Sequence, residues 1–276
     1  MADQDIRDPH VIGEMEPGEF AQYLQDIGRS GATVRKYTRD LNAYLEFSGG
    51  GRAVDQGTVA GYKEYLARTY KLTSANSMLT ALNCFLNFSG RQECCIPLFK
   101  VRRNTPICQG RALTETEFRR LADAAMMEGD YRLYMILEVL CATGIRVGEL
   151  RWVTGAAVDS GQVRIPGPGR ERTVKLSEQL KKRLRCYRRQ ADIGQGPLFV
   201  TQSHKPVDRS NLWSQMKGLC RRAGVDPEKV YPYNLRHLFG CTYCRSKDDL
   251  DELAEILGHA SVDTARIYRR MAEERE

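Results

Sequence analysis

The amino-acid sequence predicts a mainly α-helical protein with a small antiparallel β-sheet, built as two domains. Three observations predict it. Apolar residues recur at helical spacing through the first third of the chain. The pattern breaks between Ile96 and Gly110, where Pro97, Pro106 and Gly110 surround a basic stretch. Beyond the break, helical segments flank one short region of strand-type sequence. A chain of 276 residues has room for two such cores.

The elements follow in order. Residues 1–15 lack clear periodicity and read as a flexible tail. In the first domain, 16–95, Phe20, Leu24 and Ile27 mark a first helix. Val34, Tyr37, Leu41, Tyr44 and Leu45 form a stronger stripe from Thr33 to Phe47, stopped by Gly49-Gly50-Gly51. A third helix over Thr58–Arg68 turns Val59, Tyr62 and Leu66 inward, and a fourth over Ser74–Phe88 does so with Met78, Leu79, Leu82, Phe85 and Leu86. Four short amphipathic helices make a small bundle. Residues 96–110 read as a linker, and the second domain, 111–276, opens on a capping box, Thr114 with Glu117. Trp152-Val153, Gln162–Ile165 and Thr173–Leu176 read as three antiparallel strands, with a tight turn at Pro166-Gly167-Pro168-Gly169. Helices are expected over Ser177–Ala191, Ser210–Ala223, Tyr233–Cys244, Asp249–Leu257 and Ser261–Met271, and Gly224 and Gly258 suit the residue just past two helix ends.

Formal net charge is +7, and placement matters more than size. Seven basic residues lie between Lys175 and Arg189 against one acid, Glu178, and a second cluster holds Lys100, Arg102, Arg103 and Arg111. Such clusters attract a phosphate backbone, and they also occur as solvated helix faces. The opening residues lack the pattern of a secretory signal, and no apolar stretch approaches the ~18 residues of a membrane span. The nine cysteines are therefore expected as free thiols in a cytoplasmic chain. Cys241 and Cys244 form a lone pair at CxxC spacing, with no second ligand pair to make a zinc site, and read as small apolar residues on one helix.

Four separated residues carry the chemistry. Arg146 lies in Thr143-Gly144-Ile145-Arg146-Val147-Gly148-Glu149-Leu150, with Glu149 spaced to hold its guanidinium. Arg236 lies early in a helix between Leu235 and Leu238; a guanidinium on so apolar a helix needs an anionic partner, either a phosphate or an internal carboxylate. His259 follows Gly258, and Tyr268 sits about two turns into the next helix. Two guanidiniums, an imidazole and a phenol suffice to hold and attack a phosphodiester, with no metal or other cofactor.

The stretches ATGIRVGEL (Ala142–Leu150), LRH (Leu235–His237), LGHAS (Leu257–Ser261) and the ARIY ending at Tyr268 resemble the successive motif boxes of the phage-integrase, or tyrosine recombinase, family. The helices at Thr33–Phe47 and Ser74–Phe88 look like its N-terminal core-binding domain, and the resemblance runs from about Pro17 to Met271. It implies a site-specific DNA recombinase of mobile-element type, acting as a homotetramer on paired double-stranded sites. It implies that Arg146 and Arg236 clamp the scissile phosphate, that His259 donates to it, and that Tyr268 attacks to form a 3′-phosphotyrosyl link. The domain from 111 on would be the catalytic one. The implied DNA contacts are Lys100, Arg102 and Arg103 in the linker, Arg170 and Arg172 at the hairpin, and Lys181 and Lys182 beyond it.

Two departures from the family pattern stand out. Tyr233 occupies the place of a histidine three residues before Arg236; a phenol can position a phosphate but does not serve as a base near neutral pH. Pro168 falls where the family has a hairpin lysine that protonates the leaving oxygen; the substitutes are Lys175 on the next strand or Arg170 in the turn, and arginine is so poor an acid that Lys175 is favoured. These departures keep a rival reading open, a catalytically impaired DNA-binding protein on the same scaffold. A relaxing topoisomerase of related mechanism is a third reading, and a metal-dependent nuclease finds no compact His/Asp/Glu cluster to support it.

Overall fold

A computed structural model describes residues 17–49, 54–101, 112–167, 171–201, 203, 205–259 and 261–273. The expected tail, Arg102, Arg103, Arg170 and the Pro168–Gly169 part of the turn lie outside the described residues. The chain divides into two compact units, Met1–Asn104 and Thr105–Glu276.

The first unit holds α1 (Pro17–Asp26), α2 (Gly31–Phe47), α3 (Gln56–Thr69) and α4 (Leu72–Phe88). Ser30 and Asp55 cap α2 and α3 through side chains that accept from Thr33 and Thr58 amides. The expected stripes close one core of Phe20, Leu24, Leu41, Tyr44, Tyr62, Leu66, Leu79, Leu82 and Phe85. Ile27 departs from its stripe: α1 stops at Asp26, so Ile27 lies past the helix end and is exposed. Residues Ile96 to Phe99, assigned to the linker, dock on this unit instead. Asn76 and Asn83 of α4 each bracket a backbone position, donating to the Phe99 and Ile96 carbonyls and accepting from the amides of the same two residues.

The second unit begins with α5 (Glu115–Met127), opened by the expected Thr114–Glu117 capping box, and α6 (Tyr131–Thr143). Gly144, at φ +63°, ends α6, and a 3-10 turn over Val147–Trp152 follows. Then come α7 (Gly155–Ser160), β1 (Gln162–Ile165), β2 (Arg172–Lys175), α8 (Glu178–Gln190), α9 (Arg209–Ala223), α10 (Pro232–Ser246), α11 (Leu250–Leu257) and α12 (Asp263–Glu273). Gly224 and Gly258 take left-handed conformations just past α9 and α11. Helix α6 runs through the core, with Leu133, Ile136, Leu137, Val139 and Leu140 buried.

The sheet has two strands rather than three, paired antiparallel with Gln162 opposite Lys175 and Ile165 opposite Arg172. The segment Trp152-Val153 is not the third. Trp152 closes the 3-10 turn, and the Thr154 side chain immediately caps α7 by accepting from the Ala157 amide. The Val153 carbonyl accepts instead from the Leu198 amide at 2.9 Å. Among the described residues no helix is long and apolar enough to cross a membrane.

Candidate functional site

Two helix ends and one helix side converge around Arg236. Helices α6 and α11 finish at Gly144 and Gly258, leaving their last carbonyls without helical donors. Arg236, on the buried face of α10, takes up two of them. Its Nη1 donates to the Gly144 carbonyl at 2.7 Å and its Nη2 to the Leu257 carbonyl at 2.5 Å. The negative ends of two helix dipoles thus hold a guanidinium that is only 3% exposed. No carboxylate pairs with it among the described residues; its further partner is the His259 ring, Nη2 to Nε2 at 3.0 Å. Burial, then the nearby Arg146 charge, lowers its pKa from the usual value. Gly144 is required here twice over. Its φ is left-handed, and a Cβ would lie 2.4 Å from the Phe239 ring and 2.7 Å from Leu257 Cδ2.

Arg146 stands just before the 3-10 turn. Glu149 accepts from the Arg146 amide at 2.6 Å and from its Nη1 at 3.0 Å. The same carboxylate accepts from Arg172 Nη2 at 2.7 Å, and Arg172 Nε donates to the Ile256 carbonyl at 3.0 Å. Burial alone would raise the Glu149 pKa, but the Arg172 and Arg146 hydrogen bonds outweigh it and hold the carboxyl below its usual range. Half of the Arg146 side chain remains open to solvent, against 11% of Arg172. Arg172 was expected to contact DNA. Its guanidinium is instead committed inside the protein, where it fixes Glu149 and, through it, Arg146. Three guanidiniums against one carboxylate leave an excess of two positive charges around a cleft. That is an anion receptor, built with the geometry that suits phosphate.

His259 lies at the edge of this receptor. A guanidinium only donates, so Nε2 is the acceptor and the ring proton is assigned to Nδ1. Burial, then Arg236 and Arg146, lowers its pKa to about 4. The folded protein therefore resists protonating it, while the unfolded chain takes the proton near pH ~6.5. Its contribution to stability is fully present above about pH 6.5 and is lost as pH falls toward 4. Urea denaturation in DNA-free buffer should show this slope, and His259→Gln should flatten it.

Tyr268 packs against α10, with its ring over Gly240. A Cβ at Gly240 would lie 2.6 Å from the ring. The ring stacks near His259, centroids 6.0 Å apart, and sits 5.2 Å from His237, which in turn meets Tyr233 edge-on at 4.2 Å. Tyr268 is 1% exposed, and its hydroxyl makes no well-formed hydrogen bond among the described residues, although the Arg236 guanidinium lies close enough to act on it. Burial pushes its pKa up to about 12; the Tyr233 phenol adds to this and Arg236 opposes it. Gly240→Ala should force the ring off α10. The expected cost is about 1–3 kcal/mol in denaturant melts, with Tyr268 moved toward solvent and its fluorescence quenched more readily by iodide.

The cleft itself is lined by Ile145, Arg146, Val147, Gly148, Arg209, Pro232, Tyr233 and Arg236, with a volume of about 330 Å³. Thus the sequence-predicted Arg146, Arg236, His259, Tyr268 and Tyr233 come together. Lys175 does not join them. Arg172 and Val174 turn inward from β2, so strand alternation places Lys175 on the opposite, exposed face. Lys100 is exposed on the first unit, and Lys182 is exposed on α8 with Arg185 and Arg189. Lys181 is mostly covered and paired with Glu178 at 2.5 Å. Arg183 and Arg188 of the same basic run pair with Glu138 and Asp159. The run is thus part internal scaffold, part exposed stripe. Cys241 and Cys244 lie in the core beside Tyr268, and burial raises the Cys244 thiol to about 11. Sequence reasoning missed Gly240, His237 and Arg209. His237 and Gly240 were signalled by their spacing of four and seven residues from Tyr233, along one face of α10.

Comparison with known proteins agrees with this geometry. The model of the phage integrase family matches residues 111–275, and that of the phage integrase N-terminal SAM-like domain matches residues 18–93. The chain is 29% identical over 262 residues to tyrosine recombinase XerA of Pyrococcus furiosus, covering 92% of this chain and 88% of that one. It is 29% identical over 279 residues to tyrosine recombinase XerD of Xanthomonas axonopodis pv. citri, covering 92% and 91%. Its fold is like that of a lambda integrase tetramer bound to a Holliday junction, with a TM-score of 0.70 at 17% identity over 91% of this chain and 75% of that one. With both halves matched in order and the charged residues of the motif boxes gathered at one cleft, the chain belongs to the phage integrase family and is a site-specific recombinase of the tyrosine class.

Proposed function

We propose that this chain cuts and rejoins double-stranded DNA by transesterification, with Tyr268 as nucleophile and Arg146 and Arg236 as the phosphate clamp. The observation that carries the reading is Arg236: a buried guanidinium held by two carbonyls and a histidine, with no internal carboxylate among the described residues. Burying such a charge without a counter-ion is costly. A phosphodiester in the cleft supplies the missing anion, and its charge would raise the pKa of His259, turning that ring into a donor.

The Tyr268 oxygen attacks the phosphorus as its phenol loses a proton, the 5′-oxygen leaves and takes up a proton from solvent to become a 5′-hydroxyl, and a 3′-phosphotyrosyl link stores the bond for religation. The clamp opposes the charge that builds on the phosphoryl oxygens. The phenol is 1% exposed, so attack requires α12 to shift and bring the hydroxyl to the cleft. Tyr233, exposed at the cleft wall, positions the phosphate. Lys100, Arg102, Arg103, Arg170 and Lys182 are proposed as backbone contacts. Lys175 remains the proposed proton donor only if DNA binding reorients the hairpin. The tetrameric assembly on paired sites, the mobile-element role and action in the cytoplasm belong to the same proposal.

A suicide duplex, nicked so that the leaving strand diffuses away, tests the reading directly. The native chain should form a denaturant-stable adduct with its site, and should do so equally in EDTA. Failure to form one on a site that it binds would favour the second reading, a DNA-binding protein that does not cleave. That reading draws on one observation, the burial of the Tyr268 hydroxyl.

A further inference from the structure

Past the last helical turn of the first unit, the chain from Ile96 to Phe99 runs back along α4 and is held there by side chains. Asn76 and Asn83 stand seven residues apart on one face of α4, a rise of about 10 Å over two turns. Ile96 and Phe99 are three residues apart, and an extended chain covers about 10 Å in three residues. The spacings match, so each amide closes a pair of hydrogen bonds, all of 2.8–3.0 Å, on one backbone position. Pro97, between them, has no N–H to satisfy, and its carbonyl accepts from Lys63 Nζ at 2.6 Å. The same ammonium lies 4.9 Å from the centre of the Phe99 ring. Lys100 follows at once. It is exposed, and among the described residues it makes no ion pair or hydrogen bond. The stitched strap therefore ends where the basic stretch begins.

We infer that Asn76 and Asn83 are positioning residues for the reaction: they fix the strap on α4 and so set the point, Lys100, at which the chain leaves it and meets the DNA backbone. Two brackets on one face of a helix oppose both rotation of the strap and slippage along α4. A cation that follows a fixed strap reaches its phosphate with less chain freedom left to lose, which is the gain of preorganisation. The inference rests on the proposal above that Lys100 contacts DNA, and it acts through that residue.

The test uses the full chain carrying Asn76→Ala and Asn83→Ala, singly and together, each with and without Lys100→Ala. In the DNA-free double variant, the Ile96 and Phe99 amides should exchange hydrogen at least about 10-fold faster than in the native chain. The slope of log binding constant against log salt should fall by about 0.9 for Lys100→Ala, one phosphate contact, and by a similar amount for the double variant. Adding Lys100→Ala to the double variant should lower it no further. Adduct formation should slow by about 10-fold in both, as for one lost charged hydrogen bond. Asn76→Gln with Asn83→Gln keeps both bonding groups on a longer arm and should recover part of the slope. If the double variant does not fold, each single variant, with one bracket left, carries the same comparison. A native slope in a variant whose two amides exchange faster, or a loss that adds in full to that of Lys100→Ala, overturns the inference. So do native exchange rates at both amides, or an unchanged slope in Lys100→Ala. If the native chain binds DNA but forms no adduct, the cleavage reading falls and the salt-slope comparison still tests the strap.

Discussion

Tyr268→Phe is expected to abolish covalent attachment to DNA while leaving the protein at least as stable as before. Loss of the nucleophilic oxygen should lower adduct formation by at least about 10⁴-fold, the scale seen when an enzyme's nucleophile is removed. The stability side is specific to this fold. The hydroxyl is buried with no well-formed hydrogen bond among the described residues, only the Arg236 guanidinium near it, and such a group costs up to about 1–3 kcal/mol in desolvation. Phenylalanine keeps the ring on Gly240 and beside His237 and removes the burdened atom. Denaturant melts of the variant should therefore match or exceed the native midpoint, and gel-shift affinity should hold. A clear loss of stability would mean that the hydroxyl has a structural role that these contacts do not show.

Arg236 gives the second large effect. Arg236→Gln should cut the rate of adduct formation by about 10²–10³-fold or more, the cost of removing a donor aimed at developing charge. Its amide, two bonds shorter, can reach at most one of the Gly144 and Leu257 carbonyls, but it also removes a buried cation that no carboxylate pairs among the described residues. Stability should stay within about 1 kcal/mol of the native chain, since a neutral replacement for an unpaired buried charge relieves its desolvation. Arg236→Ala should behave differently, leaving both helix-end carbonyls orphaned at about 1–3 kcal/mol each. Thermal melts and single-turnover trapping of the two variants separate the clamp from the scaffold. Similar large stability losses in both would assign Arg236 mainly to holding α6 and α11 together.

Local signals made most of the helices legible. Apolar stripes such as Leu41-Tyr44 and Leu79-Leu82, the Thr114–Glu117 box, and Gly224 and Gly258 each act within a turn or two of chain. What failed depended on contacts distant in sequence. Val153 has a strand-former's side chain, but Leu198 and the start of α7 decide its backbone. Arg172 reads as a DNA contact until Glu149 and the Ile256 carbonyl are brought to it. Gly240 was not singled out, because only the Tyr268 ring laid across it gives it a role. The order of the motif residues showed which groups meet. It carried no sign that Tyr268 would be closed off or that Lys175 would face away from Arg172.

Two phenols, Tyr233 and Tyr268, stand near the phosphate clamp. Tyr233 is 45% exposed and lines the cleft, whereas Tyr268 is 1% exposed behind it. Accessibility alone would favour Tyr233; the two-guanidinium clamp and the neighbouring His259 favour Tyr268. Proteolysis of the suicide-substrate adduct, followed by mass spectrometry of the nucleotide-bearing peptide, decides between them. The linkage is predicted on the peptide that contains Tyr268, and a nucleotide found on Tyr233 or any other residue would contradict the mechanism.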